Sequence, residues 1–299
     1  MRIRYFVAAI ACLVLLGALE ASAQADPPRA QAPAAETAST GGSNAPAGPS
    51  AGTLCVVPRE MVRFKFALPN LMRAVAKGDT VDIIALGSSS TAGSGASSPS
   101  ASYPARLDVE LDRRFPGKDF RVANYGTGGM LARDMLERIH EHIATLPKPP
   151  ALVIWQTGVN DAVQDVGVSE FASILKRGIL DLRSAGIDVI LVDMQFYPRS
   201  ERVAVYGDYL KAMRKAAEDN RVALFARYNV MKHLIKSGQH TPEELLAPDN
   251  FHLNDLSYGC LAELLADSIE EQLKGGRVTA SQLSPTPDAQ VTRKAGITP

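Results

Sequence analysis

Short apolar runs alternate with longer segments of helical period along most of this chain, and this alternation constrains the fold more than any other feature. Each run is rich in Val, Ile or Leu, as strands that are buried on both faces of a sheet are. The predicted strands are Val81–Leu86, Phe120–Asn124, Leu152–Gln156, Val189–Asp193 and Ala223–Phe225. The predicted helices are Tyr103–Phe115, Leu131–Leu146, Ser169–Ser184, Ala204–Asn220, Tyr228–Lys236 and Asp255–Leu273.

The repeated β-α order predicts a three-layer α/β/α sandwich around a central five-stranded parallel sheet. In open sheets of this kind, ligands bind beyond the carboxyl ends of the strands. Residues that directly follow a predicted strand are therefore the first candidates for chemistry.

The N-terminus has the pattern of a secretory signal peptide over residues 1–23. Two arginines in MRIRYF precede the apolar run VAAIACLVLLGAL and the small-residue triplet Ala21-Ser22-Ala23. An uncleaved membrane anchor is the weaker alternative, because a spanning helix needs roughly 20 apolar residues and Glu20 interrupts the run. We expect export to the periplasm or the medium, with no stable membrane anchor after cleavage.

The remaining segments divide by composition. Residues 24–53 are almost all Ala, Pro, Gly, Ser and Thr, which predicts a disordered linker, and residues 275–299 form a similar polar tail. The folded domain is predicted at 54–274.

The charges of the chain are balanced. Lys plus Arg and Asp plus Glu number 32 each, which favours a small-molecule or glycan partner over a nucleic acid and leaves the oligomeric state open.

Two cysteines remain after cleavage, because Cys12 lies in the signal peptide. An oxidising compartment would allow Cys55 and Cys260 to form a disulfide across the domain. The alternative is a pair of buried free thiols.

Four short motifs stand at loop positions where a parallel sheet would bring them together. GSSSTAG follows the first predicted strand, NYGTGG the second and GVND the third, and DNFH precedes the last helix. The Asp-x-x-His spacing lets one loop hold a carboxylate and the imidazole that it orients. Each motif alone is weak, but all four are expected at one edge of the sheet.

Taken in order, the four motifs resemble the blocks of the SGNH hydrolases, also called the GDSL esterase and lipase superfamily. The resemblance implies a flavodoxin-like α/β/α fold and ester hydrolysis through a covalent acyl-enzyme. It places the nucleophile on Ser89, the general base on His252 and the orienting carboxylate on Asp249. It places the oxyanion hole on the Ser89 N–H, Gly129 and Asn160.

The chain departs from the family pattern at Ser88, where the family's GDS block has aspartate, and it resembles a subgroup that reads GSSST there. Ser88 and Ser90 remain alternatives for the nucleophile. Gly126 and Gly128 remain alternatives for the oxyanion glycine, and the N-x-x-x-x-G spacing from Asn124 favours Gly129.

The substrate is less constrained by the sequence. Gln195, Phe196 and Tyr197 follow the fourth predicted strand and suit a sugar or another polar ester; the alternative is a loop packed on the core. We expect hydrolysis or transfer of short acyl groups, with O-acetyl esters of carbohydrate first. A lysophospholipase or thioesterase, and a non-catalytic carbohydrate-binding or envelope protein, are the alternatives.

Neither a metal nor a cofactor is expected. His140 and His142 lie two residues apart on a predicted helix and so point to different faces. His233 and His240 have the pattern of surface residues.

Overall fold

The structure is a computed structural model that describes residues 55–78 and 80–275. The predicted signal peptide (1–23), the predicted linker (24–53) and all but the first residue of the predicted tail (275–299) lie outside the described residues. Among the helices of the described ranges, none is long and apolar enough to cross a bilayer.

Five parallel strands form a single sheet in the order β2-β1-β3-β4-β5, which confirms the predicted fold class. They are β1 (Val81–Gly87), β2 (Phe120–Gly126), β3 (Leu152–Gln156), β4 (Asp188–Val192) and β5 (Ala223–Phe225). The bounds of β3 and β5 are those predicted. β1 continues to Gly87, which begins its motif, and β2 continues to Gly126, the third residue of its motif. β4 begins and ends one residue earlier than predicted.

The described helices are α1 (Arg59–Val62), α2 (Pro69–Lys77), α3 (Ser89–Ala92), α4 (Tyr103–Arg114), α5 (Ala132–Arg138), α6 (Val159–Val163), α7 (Val168–Ser184), α8 (Tyr206–Asp219), α9 (Arg227–Lys236), α10 (Pro242–Leu245) and α11 (Asp255–Gly275). The predicted helix Leu131–Leu146 is therefore too long: the α-helix ends at Arg138, and a π turn, Ile139–Ile143, follows it. Five helices, α1, α2, α3, α6 and α10, were not predicted.

The strand order places helices on both faces of the sheet. The crossover from β1 to β2 runs toward one edge, and the later crossovers run toward the other. Because parallel crossovers are right-handed, α4 covers one face and α5, α7 and α8 cover the opposite face. α4 packs against α11, and α7 packs against α5 and α8. The direction reverses between β1 and β3, so the carboxyl ends of these two strands flank the expected ligand crevice.

The helix α2 is anchored by a residue far along the chain. The backbone N–H groups of Asn70 and Leu71, in its first turn, donate to Asp188 Oδ2 at 2.7 and 2.9 Å. Asp188 is the first residue of β4. The cap that stabilises the start of α2 is therefore supplied by the sheet and not by a neighbouring residue.

A disulfide joins Cys55, the first described residue, to Cys260 in α11, with the two Cα atoms 5.6 Å apart. The bond closes a loop with a sequence separation of 205 residues. A crosslink over so long a loop restricts the unfolded chain and typically stabilises a domain by about 2–5 kcal/mol.

Reduction of the protein that lacks residues 1–23 is expected to lower Tm by roughly 5–15 °C, because the unfolded state regains its freedom. Differential scanning calorimetry with and without reductant measures the shift. Mass analysis after alkylation is the control, and two alkyl groups gained without reductant would contradict the disulfide.

Candidate active site

Ser89 is the first residue of α3, a single helical turn that is separated from the end of β1 by one residue, Ser88. Ser88 has extended backbone angles and leads into the turn, and the Ala92 N–H donates to its carbonyl at 2.9 Å. Ser90 and Thr91 are buried, whereas Ser89 is partly exposed. The sharp strand-to-helix turn therefore presents the Ser89 hydroxyl at the carboxyl edge of the sheet.

Asp249 and His252 lie in a tight loop between α10 and α11. An antiparallel bridge between Leu246 and Leu253 closes the loop, and Asn250 at its tip has a positive φ of 53°. Inside the loop, Asp249 Oδ1 accepts backbone N–H groups from Phe251 and His252 at 3.0 and 2.9 Å. The loop thus fixes the carboxylate and leaves its second oxygen directed at the imidazole.

Three side chains form one hydrogen-bonded line. The second carboxylate oxygen, Asp249 Oδ2, lies 2.5 Å from His252 Nδ1, and His252 Nε2 lies 2.9 Å from Ser89 Oγ. The His252 side chain is 22% exposed and that of Asp249 is 49% exposed. The imidazole is thus shielded between two partners, while the carboxylate remains open to solvent.

The local hydrogen bonds keep Asp249 ionised. Partial burial alone would raise the pKa of its carboxyl group, but the bonds from the His252 ring and from the backbone N–H groups of His252 and Phe251 hold that pKa below its usual value. An ionised Asp249 fixes the tautomer with the proton on His252 Nδ1, which leaves Nε2 as the basic nitrogen.

The loop after α3 packs directly against the Asp-His loop. A Cβ atom on Gly95, whose φ is +88°, would lie 2.4 Å from the Leu253 carbonyl oxygen and 3.2 Å from His252 Cβ. Close by, Tyr258 in α11 donates its hydroxyl to the Ser94 carbonyl at 2.7 Å. The segment that carries Ser89 and the segment that carries His252 therefore meet without an intervening side chain.

The two proposed oxyanion elements are also brought together. Asn160 is in the first turn of α6, two residues after Gly158, which has a φ of +99°. Its amide Nδ2 donates to the Met130 carbonyl at 2.9 Å, next to Gly129, which is exposed and has a φ of +79°. An asparagine amide carries a second N–H, which a substrate oxygen can use.

Gly126 lies where the second strand passes the turn that carries Ser89. A Cβ atom there would lie 2.1 Å from the backbone nitrogen of Ala92 and 2.5 Å from the carbonyl carbon of Thr91. A Cβ atom on Gly128, two residues later, meets no heavy atom within 4 Å. Only the first glycine is therefore required by close packing.

Gly126→Ala is expected to destabilise the domain by about 1–3 kcal/mol, because the contact is with backbone that cannot rotate away. Chemical denaturation measures this change. Gly128→Ala is the matched control and should remain within about 0.5 kcal/mol of wild type. Equal stabilities for the two variants would show that the nucleophile turn does not pack against Gly126 in this way.

Gln195, Phe196 and Tyr197 are buried, with 1%, 8% and 5% of their surfaces exposed. The Gln195 amide donates to the Phe251 carbonyl at 3.4 Å and accepts from Arg227 Nη2 at 3.0 Å. This placement favours the alternative stated for these residues, a loop packed on the core, over contact with substrate.

Arg227, which the sequence did not single out, is a buried residue at the start of α9. Its Nε donates to the Asp193 carbonyl at 2.9 Å, and its Nη2 reaches Gln195. Burial raises the pKa of the Asp193 carboxyl to about 7, although the Tyr228 N–H and the Arg227 charge oppose the shift. An arginine at a helix start carries no local signal of this role, since both of its partners, Asp193 and Gln195, come from the loop after β4.

Two of the histidines outside the loop lie beside carboxylates. His140 Nδ1 lies 3.8 Å from Asp181 Oδ2, and His240 Nδ1 lies 3.7 Å from Glu244 Oε2. Within residues 55–78 and 80–275, no group of three or more His, Cys, Asp or Glu side chains is arranged to hold a metal ion.

A five-stranded parallel sheet that carries a serine, a histidine and an aspartate in contact at its carboxyl edge is the arrangement of the SGNH hydrolases, a class of carboxylic ester hydrolases. The chain belongs to the non-GDSL lipase-like family, whose model matches residues 54–275. The predicted superfamily is thereby confirmed, and the serine at position 88 agrees with a family set apart from the GDSL pattern. No curated protein sequence matches the chain significantly.

Three solved structures illustrate the likeness of fold. A two-domain esterase active on acetylated mannans matches at a TM-score of 0.65 and 20% identity, covering 78% of this chain and 61% of its own. An acetyl xylan esterase from Geobacillus stearothermophilus, a variant of Axe2, matches at a TM-score of 0.54 and 22% identity, covering 63% of this chain and 94% of its own. TesA matches at a TM-score of 0.54 and 22% identity, covering 64% of this chain and 99% of its own. The chain thus spans less than two thirds of the two-domain esterase.

Proposed function

We propose that this protein is an exported serine esterase that removes short acyl groups, O-acetyl groups above all, from carbohydrate. The observation that carries the proposal is the line from Ser89 Oγ to His252 Nε2 and from His252 Nδ1 to Asp249, at 2.9 and 2.5 Å. This contact geometry lets the imidazole accept the serine proton while the carboxylate stabilises the charged ring.

The reaction follows from these contacts. Ser89 Oγ attacks the ester carbonyl as its proton moves to His252 Nε2, and the carbonyl oxygen takes up negative charge. The Ser89 N–H, the Gly129 N–H and Asn160 would donate to that oxyanion. The protonated His252 then gives its proton to the leaving alcohol as the C–O bond breaks, which leaves an acyl group on Ser89.

The acyl-enzyme is resolved by the same groups. His252 takes a proton from water, the hydroxide oxygen attacks the acyl carbon, and the proton returns to Ser89 Oγ as the carboxylic acid departs. A sugar hydroxyl that replaces water would give acyl transfer. The partly exposed position of Ser89 leaves room for either acceptor.

The short connections at the site support a small acyl group. One residue separates β1 from α3, and two separate β3 from α6, so neither connection can fold into a lid. The first residues of the loop after β4, from Asp193 to Tyr197, are buried against the core. The sugar esters named for the mannan and xylan esterases of like fold favour carbohydrate as the alcohol part. Export is supported by the predicted signal peptide and by the disulfide.

A substrate panel tests the proposal. Acetate release is measured from acetylated mannan and xylan oligosaccharides, beside p-nitrophenyl esters of rising acyl length and a lysophospholipid, with Ser89→Ala as the blank. Rates should be highest for acetyl esters. Rates that rise with chain length would favour the lysophospholipase or thioesterase alternative, and failure of a fluorophosphonate probe to label Ser89 would favour a non-catalytic protein.

A further inference from the structure

Gln156, the last residue of β3, is fully buried directly beneath the nucleophile turn. Its carbonyl oxygen Oε1 accepts the Ser88 N–H and the Ser88 hydroxyl, each at 3.3 Å, and the Thr91 hydroxyl at 3.2 Å. Because a backbone N–H can only donate, the amide must turn its oxygen and not its nitrogen toward Ser88. One side-chain oxygen thus binds the residues on both sides of the Ser89-Ser90 pair.

The same turn is held from two further sides. The Thr91 hydroxyl lies 3.3 Å from the Tyr103 hydroxyl of α4, and the Thr91 carbonyl accepts Asn124 Nδ2 of β2 at 2.9 Å. A Cβ atom on Gly87 would lie 2.1 Å from Thr91 Oγ1 and 2.9 Å from Gln156 Oε1. The network therefore fits only because residue 87 has no side chain.

Gln156 links the two halves of the proposed oxyanion hole. Its side chain holds the backbone that leads into the Ser89 N–H. Its own strand continues through a two-residue connection into α6, which carries Asn160. A shift of Gln156 relative to the turn would change the distance between these two donors.

The amide also carries an unpaired group. Gln156 Nε2 is buried and has no hydrogen-bond partner among the described residues. A buried unpaired donor destabilises a fold, and an apolar side chain of the same length would avoid that loss. At Gln156 this cost is offset only by the bonds that Oε1 makes to Ser88 and Thr91.

We propose that Gln156 is a positioning residue that sets the nucleophile turn against Asn160, an inference that rests on the proposed function. The Ser88 hydroxyl is its partner in this role. Gln156 acts on the reaction through Ser89 and not by touching substrate.

The test compares two neighbouring substitutions. Gln156→Met keeps the length of the side chain and removes the acceptor, and it is expected to lower kcat on p-nitrophenyl acetate by about 10- to 100-fold with KM nearly unchanged, because small displacements of reacting groups have effects of this size. Thr157→Val is the matched control. Thr157 is equally buried and its hydroxyl also lacks a partner, so this variant should keep the wild-type kcat.

A double variant separates positioning from general destabilisation. If Gln156 acts by setting Ser89 against Asn160, Gln156→Met should lower kcat much less in the Asn160→Ala background than in wild type. Equal fold losses in the two backgrounds would overturn the proposal. If Gln156→Met does not fold, Ser88→Ala serves instead, since it removes one donor to the same oxygen and should likewise lower kcat less in the Asn160→Ala background than in wild type.

The outcome is distinguishable from failure of the proposed function. If Ser89→Ala keeps the wild-type rate, the esterase assignment itself fails. If Ser89→Ala is inactive while Gln156→Met keeps the wild-type kcat, only the positioning role is overturned.

Discussion

Ser89→Ala is expected to lower kcat by about 10⁴- to 10⁶-fold, the loss typical when the nucleophile of such a triad is removed. The hydroxyl that lies 2.9 Å from His252 Nε2 is then gone, and no covalent intermediate can form. Steady-state hydrolysis of p-nitrophenyl acetate by the purified variant measures the effect. Tm should stay within a few degrees of wild type, because Ser89 is partly exposed and fills no core position.

Ser90→Ala is the matched control, since Ser90 is the adjacent serine but is buried at 1% exposure. Its kcat should remain close to that of wild type. A large loss in Ser90→Ala together with an active Ser89→Ala would move the nucleophile to the neighbouring position.

Asn160→Ala is expected to lower kcat by about 10²- to 10³-fold, which corresponds to about 2.7–4 kcal/mol of transition-state stabilisation from one oxyanion donor. KM should change little, because the negative charge develops only in the transition state. The variant also loses the bond from Nδ2 to the Met130 carbonyl, so its stability must be measured beside its kinetics.

Gln164→Ala is the control for that experiment. Gln164 also carries an amide, directly follows α6 and is exposed. Wild-type kinetics in Gln164→Ala and a fall in kcat alone for Asn160→Ala would support the oxyanion role. A rise in KM with unchanged kcat would instead assign Asn160 to ground-state binding.

The sequence predicted those parts of the fold that depend on local pattern. The bounds of β3 and β5 were correct because both strands are short and mostly apolar runs. The helix α2 was missed because its first N–H groups are capped by Asp188, 118 residues from Asn70. The predicted Leu131–Leu146 helix was too long because its apolar period continues through a π turn that periodicity does not distinguish.

In the candidate site, too, features that depend on neighbouring residues were predicted, and features that depend on distant residues were not. The pairing of Asp249 with His252 could be predicted because the two residues are close together in the sequence. The burial of Gln195 could not be predicted in this way, because its partner Arg227 lies 32 residues away and the direction of a side chain beyond a strand end depends on packing. Gln156 and Ser88 are 68 residues apart, so no motif could connect them.

The proposed base and its carboxylate are carried by one short loop, and only the contact between His252 and Ser89, 163 residues apart, depends on the tertiary fold. A local opening that detaches this loop would therefore remove both groups in a single step, and activity would vanish before the sheet unfolds. The loop runs directly into α11, where Cys260 is bound to Cys55. The disulfide thus ties the catalytic segment to the first described residue of the domain and opposes the motion that would inactivate it.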